Sequence, residues 1–339
     1  MIAQRPLPEE TVILALETSC DETAAAIVRG GRDVLANVVS SQVELHAAFG
    51  GVVPEVASRA HLELLIPVIQ QAFAEAAMDS TGLDAVAATH GPGLIGALLV
   101  GVSAAKALAV GWKLPYVGVN HMEGHLFATL LERPDLPLPS VVLLVSGGHT
   151  MLVEMKEPGT YRLLGSTIDD AAGEAFDKVA RFLGLGYPGG PVIDRLALSG
   201  DRNAIAFPRG LLHDGLEFSF SGMKTAVINY VRKHPDAENA DIAASFQEAV
   251  VDVLVTKSLR AAASVGAASV CLGGGVAANS RLREVFALRA AEAGLPSLIP
   301  APSYCTDNAA MIAAAANWRL AADGPTPLDD GANPGLRLL

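Results

Sequence analysis

Two histidines stand four residues apart in Asn120-His-Met-Glu-Gly-His125. On a helix that separation puts both imidazoles on one face, one turn apart, where they can grip a single metal ion. A bare pair of this kind also arises when histidines merely pack or cap a helix, so its meaning depends on the surrounding residues. A zinc protease needs a glutamate directly after the first histidine, to reach the metal-bound water. That position is Met122, and Glu123 is turned about 200° away around the helix. The inverted order fails as well, because Gly124 precedes His125. The pattern is compatible with metal binding and excludes peptide hydrolysis by this motif.

A third ligand is available in Tyr304-Cys-Thr-Asp-Asn308, where Asp307 opens an alanine-rich helical stretch. Asp307 is either an ordinary first-turn acid or the carboxylate that completes the set. Two histidines and one carboxylate make a facial triad with open positions, which favours iron or zinc with substrate oxygens filling the sphere. Asp21 and Glu22, at the end of the first apolar run, either accept a proton during chemistry or hydrogen-bond a neighbouring loop.

Several glycine turns carry a second kind of chemistry. Val145-Ser-Gly-Gly-His-Thr150 is a strand, turn and strand whose backbone N–H groups either meet an anion or form a plain hairpin tip. Gly186-Tyr-Pro-Gly-Gly-Pro191 reads as a rigid loop. Asp177 either accepts hydrogen bonds from a ribose or pairs with Arg181, and Asp194 is placed to serve the same sugar. Gly273-Gly-Gly-Val-Ala-Ala-Asn279 opens a helix, where its amides and dipole suit a phosphate, or Asn279 simply caps that helix. The phosphate-loop pattern ending in Gly-Lys-Ser/Thr is absent there.

These residues sit on a pattern that occurs twice. Thr11 to Cys20, Thr23 to Val28 and Asp33 to Ser40 read as strands. Pro54 to Ala77 reads as a helix, Ala85 to Thr89 as a strand, His90-Gly-Pro-Gly93 as a turn, and a helix starts at Leu94. The second half repeats this with strands at Ser140 to Ser146, His149 to Met155 and Tyr161 to Thr167. Helices follow at Gly173 to Leu183 and Ala240 to Ala263, then a strand at Ala268 to Leu272, a glycine loop and a helix at Ala278 to Ala293. Two such copies predict a duplicated α/β protein with a ligand cleft between the halves. That is the layout of the actin, Hsp70 and sugar-kinase (ASKHA) superfamily. The lobes are expected at residues 1–131 and 132–339, with the C-terminal helix returning towards the first.

Bulk properties agree with this. The chain has 339 residues, 51% of them hydrophobic, enough for two cores. Cys20, Cys271 and Cys305 lack CxxC spacing, which argues against both a disulfide framework and a thiolate zinc site. Met1 to Glu10 has no apolar core, so no secretory signal is expected. Leu94 to Trp112 is mostly apolar but contains Lys106 and several small residues, which points to a packed helix rather than a membrane span. A soluble cytoplasmic protein is expected. A net charge of −12 excludes a broadly nucleic-acid-coating surface, though not a local basic groove.

Taken in order, the motifs resemble the universal tRNA threonylcarbamoyladenosine transferase family, formerly misnamed O-sialoglycoprotein endopeptidase, in its bacterial branch. The resemblance is carried by Glu17-Thr-Ser-Cys-Asp-Glu-Thr23, Pro54-Glu-Val-Ala-Ser-Arg-Ala-His61, His90-Gly-Pro-Gly-Leu94, Asn120-His-Met-Glu-Gly-His125 and Val145-Ser-Gly-Gly-His-Thr150. It continues through Gly173-Glu-Ala-Phe-Asp-Lys178, Phe218-Ser-Phe-Ser-Gly-Met-Lys-Thr225, Gly273 to Asn279 and Cys305-Thr-Asp-Asn308. Met223 stands where the family often has leucine. The resemblance implies transfer of a threonylcarbamoyl group from threonylcarbamoyl-AMP to N6 of adenosine 37, in tRNAs reading codons that begin with adenine. It implies a divalent metal, iron with zinc as the alternative, on His121, His125 and Asp307. It implies adenylate binding by Leu144, Val145, Ser146, Gly147, Gly148, Asp177, Gly190, Asp194 and Asn279. Implied partners are tRNA, a shorter metal-free paralogue and a small P-loop ATPase, with no membrane. The competing readings are a small-molecule kinase of the same superfamily, in which the histidine pair would have no purpose, and a noncatalytic scaffold, which would lack the complete metal site.

Overall fold

The computed structural model describes residues 10–339. The chain divides into two compact units, one formed by the chain up to Asp135 together with Thr306–Leu339, the other by Leu136–Cys305.

In the first unit β1 (Val12–Glu17), β2 (Glu22–Arg29) and β3 (Asp33–Ser41) form an antiparallel meander. Helices α1 (Val43–Ala47) and α2 (Pro54–Glu75) follow. Then β4 (Ala85–Gly91) returns parallel to β1, and α3 (Ile95–Trp112) leads to β5 (Tyr116–Asn120), parallel to β4. The sheet order is β3-β2-β1-β4-β5. Helix α4 (His121–Glu132) starts on the residue after β5. Strand β5 was not anticipated from the sequence, where its five residues make a run too short to declare a period.

The second unit repeats this arrangement. Strands β6 (Ser140–Val145), β7 (Thr150–Glu157) and β8 (Thr160–Ser166) form the meander, followed by α5 (Ala172–Phe182), α6 (Gly189–Ala197), α7 (Ser221–Lys233) and α8 (Asn239–Val265). Strand β9 (Ser269–Gly273) lies parallel to β6; a 3-10 turn at Gly275–Ala278 and α9 (Ser280–Glu292) follow. A two-residue strand, β10 (Ser297–Leu298), and α10 (Pro302–Cys305) end the unit. Its order, β10-β9-β6-β7-β8, is the first sheet's order read from the other edge. The expected duplication is therefore visible in strand pairing as well as in the sequence.

One expectation is corrected. Gly189 to Pro191 belongs to the first turn of α6 and not to a loop. Helix N–H groups in that turn have no intrahelical acceptor, so Pro191 sacrifices no ladder bond there.

Helix α11 (Ala309–Ala322) packs on the first sheet and along α4. Leu14 and Leu16 of β1 join a core with Leu65 and Val68 of α2 and Val102 and Ala105 of α3. Side chains alternate across a strand, so Ile13, Ala15 and Glu17 face the opposite side. Every residue of α11 from Ala309 to Ala316 is buried, and six of these eight are alanine, which lets the helix lie close to the sheet. That parity puts an acid, Glu17, at the end of an otherwise apolar strand face. Helix α3 is, among the described residues, the one helix long and apolar enough to cross a membrane. Its Gly101 fits against Thr18, while Ile95, Leu99 and Val110 remain exposed.

Candidate metal centre

Asn120 ends β5 and caps α4, its Oδ1 accepting from the N–H groups of Met122 (2.9 Å) and Glu123 (3.3 Å). Capping fixes the first turn, so His121 and His125 project from one face with ring centroids 4.8 Å apart. Asp307 precedes α11, whose cap is Asn308, accepting from Met311 N–H at 3.0 Å. Asp307 Oδ1 lies 3.5 Å from His121 Nε2 and 3.2 Å from His125 Nε2. One ligand atom from each of the three residues falls within 4.8 Å of the others. Glu123 is elsewhere: its two oxygens take a fork of hydrogen bonds from Arg319, both at 2.8 Å.

Behind His121 stands a carboxylate that the sequence reading did not single out. Glu17 Oε2 lies 3.0 Å from His121 Nδ1 and accepts from Thr89 Oγ1 at 2.6 Å. Its other oxygen accepts from Ser19 N–H at 2.5 Å. Glu17 is fully buried, and an acid closing a strand of apolar residues was the available signal.

The electrostatics favour a cation. Burial works against ionising Glu17 and Asp307, yet His121 beside them holds both carboxyls below the usual range. Burial likewise opposes charge on His121, but Asp307 and Glu17 raise its pKa well above the ordinary value. Buried Glu17 and partly exposed Asp307 thus converge on one imidazole, a charge balance that a bound cation would satisfy. Both ring nitrogens of His125 are buried without a hydrogen-bond partner; its Nε2 is near Asp307 but badly aligned for a hydrogen bond. Such an orphaned polar group costs about 1–3 kcal/mol, and coordination at Nε2 would remove part of that penalty. The residues present fit a metal ion.

Next to this cluster, burial and then Asp307 and Asp21 push Glu22 up to about 9. Burial and the same two acids push the Cys20 thiol far above its usual value, so it stays a thiol. His61 links this turn to α2, with its Nε2 3.0 Å from Cys20 O and its Nδ1 2.8 Å from Thr23 Oγ1.

In the second unit, Leu144 and Val145 end β6, and Ser146 starts the turn, with Ser146 N–H donating to His149 O at 2.8 Å. Gly147 and Gly148 border open space. A Cβ on Gly274, whose φ is +87°, would come within 2.6 Å of Val145 O, so only glycine lets these turns approach so closely. Asp177 accepts from Gly189 N–H at 2.7 Å, and Gly190 is the next residue of the same turn. Asp194 accepts from Ser280 N–H (3.0 Å) and Ser280 Oγ (2.8 Å). Asn279 caps α9, accepting from Leu282 N–H at 2.9 Å and donating to Gln247 at 2.8 Å. Each carboxylate here ties two helices together. A cavity of about 130 Å³ lies among Arg202, Gln247, Glu248, Ser280 and Arg281. It is smaller than the ~300 Å³ at which ligand pockets begin, and no glycine-turn residue that the sequence singled out lines it.

Comparison with known proteins places this geometry. The family model for tRNA N6-adenosine threonylcarbamoyltransferase matches residues 33–314. A relative of that name from Moorella thermoacetica is 54% identical over 339 residues, covering 98% of this chain and 99% of the relative. The chain belongs to the tRNA N6-adenosine threonylcarbamoyltransferase family. A relative of the same name from Geobacter sp. (strain M21) is 56% identical over 313 residues, with 91% of each chain covered. Among solved structures, HypF from T. kodakarensis superposes with a TM-score of 0.64 at 15% identity, over 93% of this chain and 48% of that one. Component A of the Acidaminococcus fermentans (R)-2-hydroxyglutaryl-CoA dehydratase gives 0.55 at 15% identity, over 92% of this chain and 99% of that one. At such identities the likeness is one of fold alone. The residues to which sequence reasoning gave no individual role are Glu17, Ser19 and Thr89: Glu17 and Ser19 contact His121 from behind, and Thr89 holds Glu17.

Proposed function

We infer that the protein transfers the threonylcarbamoyl group of threonylcarbamoyl-AMP to N6 of adenosine 37, in tRNAs reading codons that begin with adenine. The observation that carries this is near-full-length identity of 54% to a curated threonylcarbamoyltransferase. The His121, His125 and Asp307 cluster supports it from the chemistry of the site.

The donor already carries a nucleotide leaving group, so no covalent enzyme intermediate is needed. N6 forms a bond to the carbamoyl carbon, the bond from that carbon to the phosphate oxygen breaks, AMP departs, and N6 gives up a proton. When bound, a divalent metal, iron with zinc as the alternative, supplies Lewis acidity towards donor oxygens. His121, His125 and Asp307 would hold it. Ser146, Gly147 and Gly148, following Leu144 and Val145, offer backbone to the adenylate. Gly190 and Asn279 border the same ligand, and Asp177 and Asp194 offer lone pairs to its ribose. Asp21 and Glu22 are the proton acceptors in this reading. Without a bound cation, burial, then Asp307 and Asp21, push the Glu22 carboxyl up to about 9.

The reading extends to partners: tRNA, a shorter metal-free paralogue and a small P-loop ATPase, acting in the cytoplasm. The exposed apolar residues Leu62 and Ile66 of α2 and Ile95 and Leu99 of α3 support a protein contact on the first unit. The test is incubation of purified protein with threonylcarbamoyl-AMP and tRNA, with and without those partners, followed by mass analysis of the nucleosides. Modified adenosine confined to position 37 is expected. Mass gain on a small sugar or alcohol with ATP, and none on tRNA, would overturn the reading.

A further inference from the structure

The buried carboxylate behind His121 faces three hydrogen-bonding groups, an arrangement that suits an ionised acid. Ser19 N–H can only donate, and it points at Oε1. Thr89 Oγ1 lies 2.6 Å from Oε2, and its hydroxyl donates there. His121 Nδ1 lies 3.0 Å from the same Oε2. Two bare lone pairs at that distance would repel, so the ring must carry its hydrogen on Nδ1. As a metal ligand the ring is a neutral imidazole with one N–H, so a hydrogen on Nδ1 leaves Nε2 bare, and Nε2 is the atom facing Asp307. Ser19 Oγ, 3.2 Å from Nδ1, can share that hydrogen as a second acceptor.

We propose that Glu17 is a positioning residue that fixes the tautomer and the tilt of His121, presenting its Nε2 lone pair to the metal. This rests on the metal reading of the His121, His125 and Asp307 cluster. His125 has no such support, since its Nδ1 is buried without a partner. The two imidazoles therefore differ: the Nδ1 of His121 meets a carboxylate, whereas among the described residues the Nδ1 of His125 meets no hydrogen-bond partner. Outer partners of this kind typically contribute 10–100-fold in metal affinity.

The chemistry predicts what Glu17→Gln does. Ser19 N–H demands the remaining oxygen, so the new NH2 group must turn towards Thr89 and His121. Thr89 can rotate its hydroxyl and accept. His121 can accept only by moving its hydrogen to Nε2, which closes that atom to a metal. The side chain keeps its size, so packing around β1 is preserved.

The experiment is zinc titration of the full chain and of Glu17→Gln by calorimetry, with 15N spectra of the histidine side chains. Wild-type protein should bind zinc with Nδ1 of His121 protonated. The variant should bind at least ten-fold more weakly, with its hydrogen on Nε2 in the metal-free state. A loss under ten-fold, or a variant that keeps the hydrogen on Nδ1, overturns the proposal. Should the variant not fold, the zinc-loaded wild-type spectrum decides: a protonated Nδ1 on His121 sustains the proposal and a bare Nδ1 overturns it. Wild-type protein that binds no zinc or iron instead contradicts the underlying metal reading, a different outcome from either.

Discussion

Cys20 lies between Glu17 and Asp21, in the turn beside the metal cluster, where a nucleophile would be well placed. Its environment forbids that role. A reactive cysteine needs positive neighbours to stabilise the thiolate, whereas burial and nearby acids here push the thiol up. Cys20→Ala should therefore leave transfer to tRNA within about two-fold of wild type, as for any thiol that is not the nucleophile. A hundred-fold loss would show the transfer to be covalent. The contribution of Cys20 is its backbone carbonyl, which meets His61 Nε2 at 3.0 Å, and alanine retains that group.

At the scale of elements, caps and ion pairs decide how well the site is held. Asn120 satisfies two free N–H groups at the start of α4, and His121 is the next residue. Asn120→Ala should cost about 1 kcal/mol, seen as a lowered Tm, and should weaken zinc binding because the ligand sits in the uncapped turn. Unchanged stability and affinity would mean that packing alone sets the turn. In the second unit, Arg281 of α9 grips Glu248 of α8 at 2.7 and 2.8 Å. The hydrogen bond to Arg281 outweighs burial and holds the Glu248 carboxyl below its ordinary 4.5. A depressed carboxyl stabilises the fold above its unfolded value, and that contribution disappears as pH falls through the folded value. Arg281→Ala should thus lower stability by up to about 1 kcal/mol near neutral pH. The difference from wild type should shrink below pH 4.5. A difference independent of pH would assign the effect to packing instead. Much of this level was legible beforehand. Helices α2, α5, α8 and α9 and the apolar strands fell near their expected bounds, because burial imposes a period on them, whereas α7 was not anticipated. Strands β5 and β10 were missed, since five and two residues display no period. Helix α6 was hidden by Gly189, Gly190 and Pro191, residues that usually signal a loop but here occupy a first turn. Glu17 escaped notice because its role depends on strand parity and on a helix more than a hundred residues away.

Across the whole molecule, one sheet pattern occurs twice, and the two copies gather different side chains. The first unit gathers the histidines and Asp307, with its last segment supplied by the end of the chain. That segment also straps β5 and β4: Thr326 N–H donates to Tyr116 O at 2.8 Å and Asn333 N–H to His90 O at 2.7 Å. A side chain at Gly91 would collide with the Asn333 carbonyl, so this glycine is required by the strap. The second unit carries the glycine turns. In it Arg209 pairs with Asp252 at 3.3 Å and Lys224 with Asp170 at 3.8 Å. A net charge of −12 works against non-specific binding to a polyanion. The central claim is that one metal ion, held by His121, His125 and Asp307, is required for threonylcarbamoyl transfer. The direct test is metal content and nucleoside mass measured together on wild type and Asp307→Ala, each incubated with donor, tRNA and partners. About one metal ion per chain with modified adenosine 37 in the wild type is predicted, and loss of both, by at least ~100-fold in rate, in the variant. Full modification by a variant that carries no metal would contradict the account.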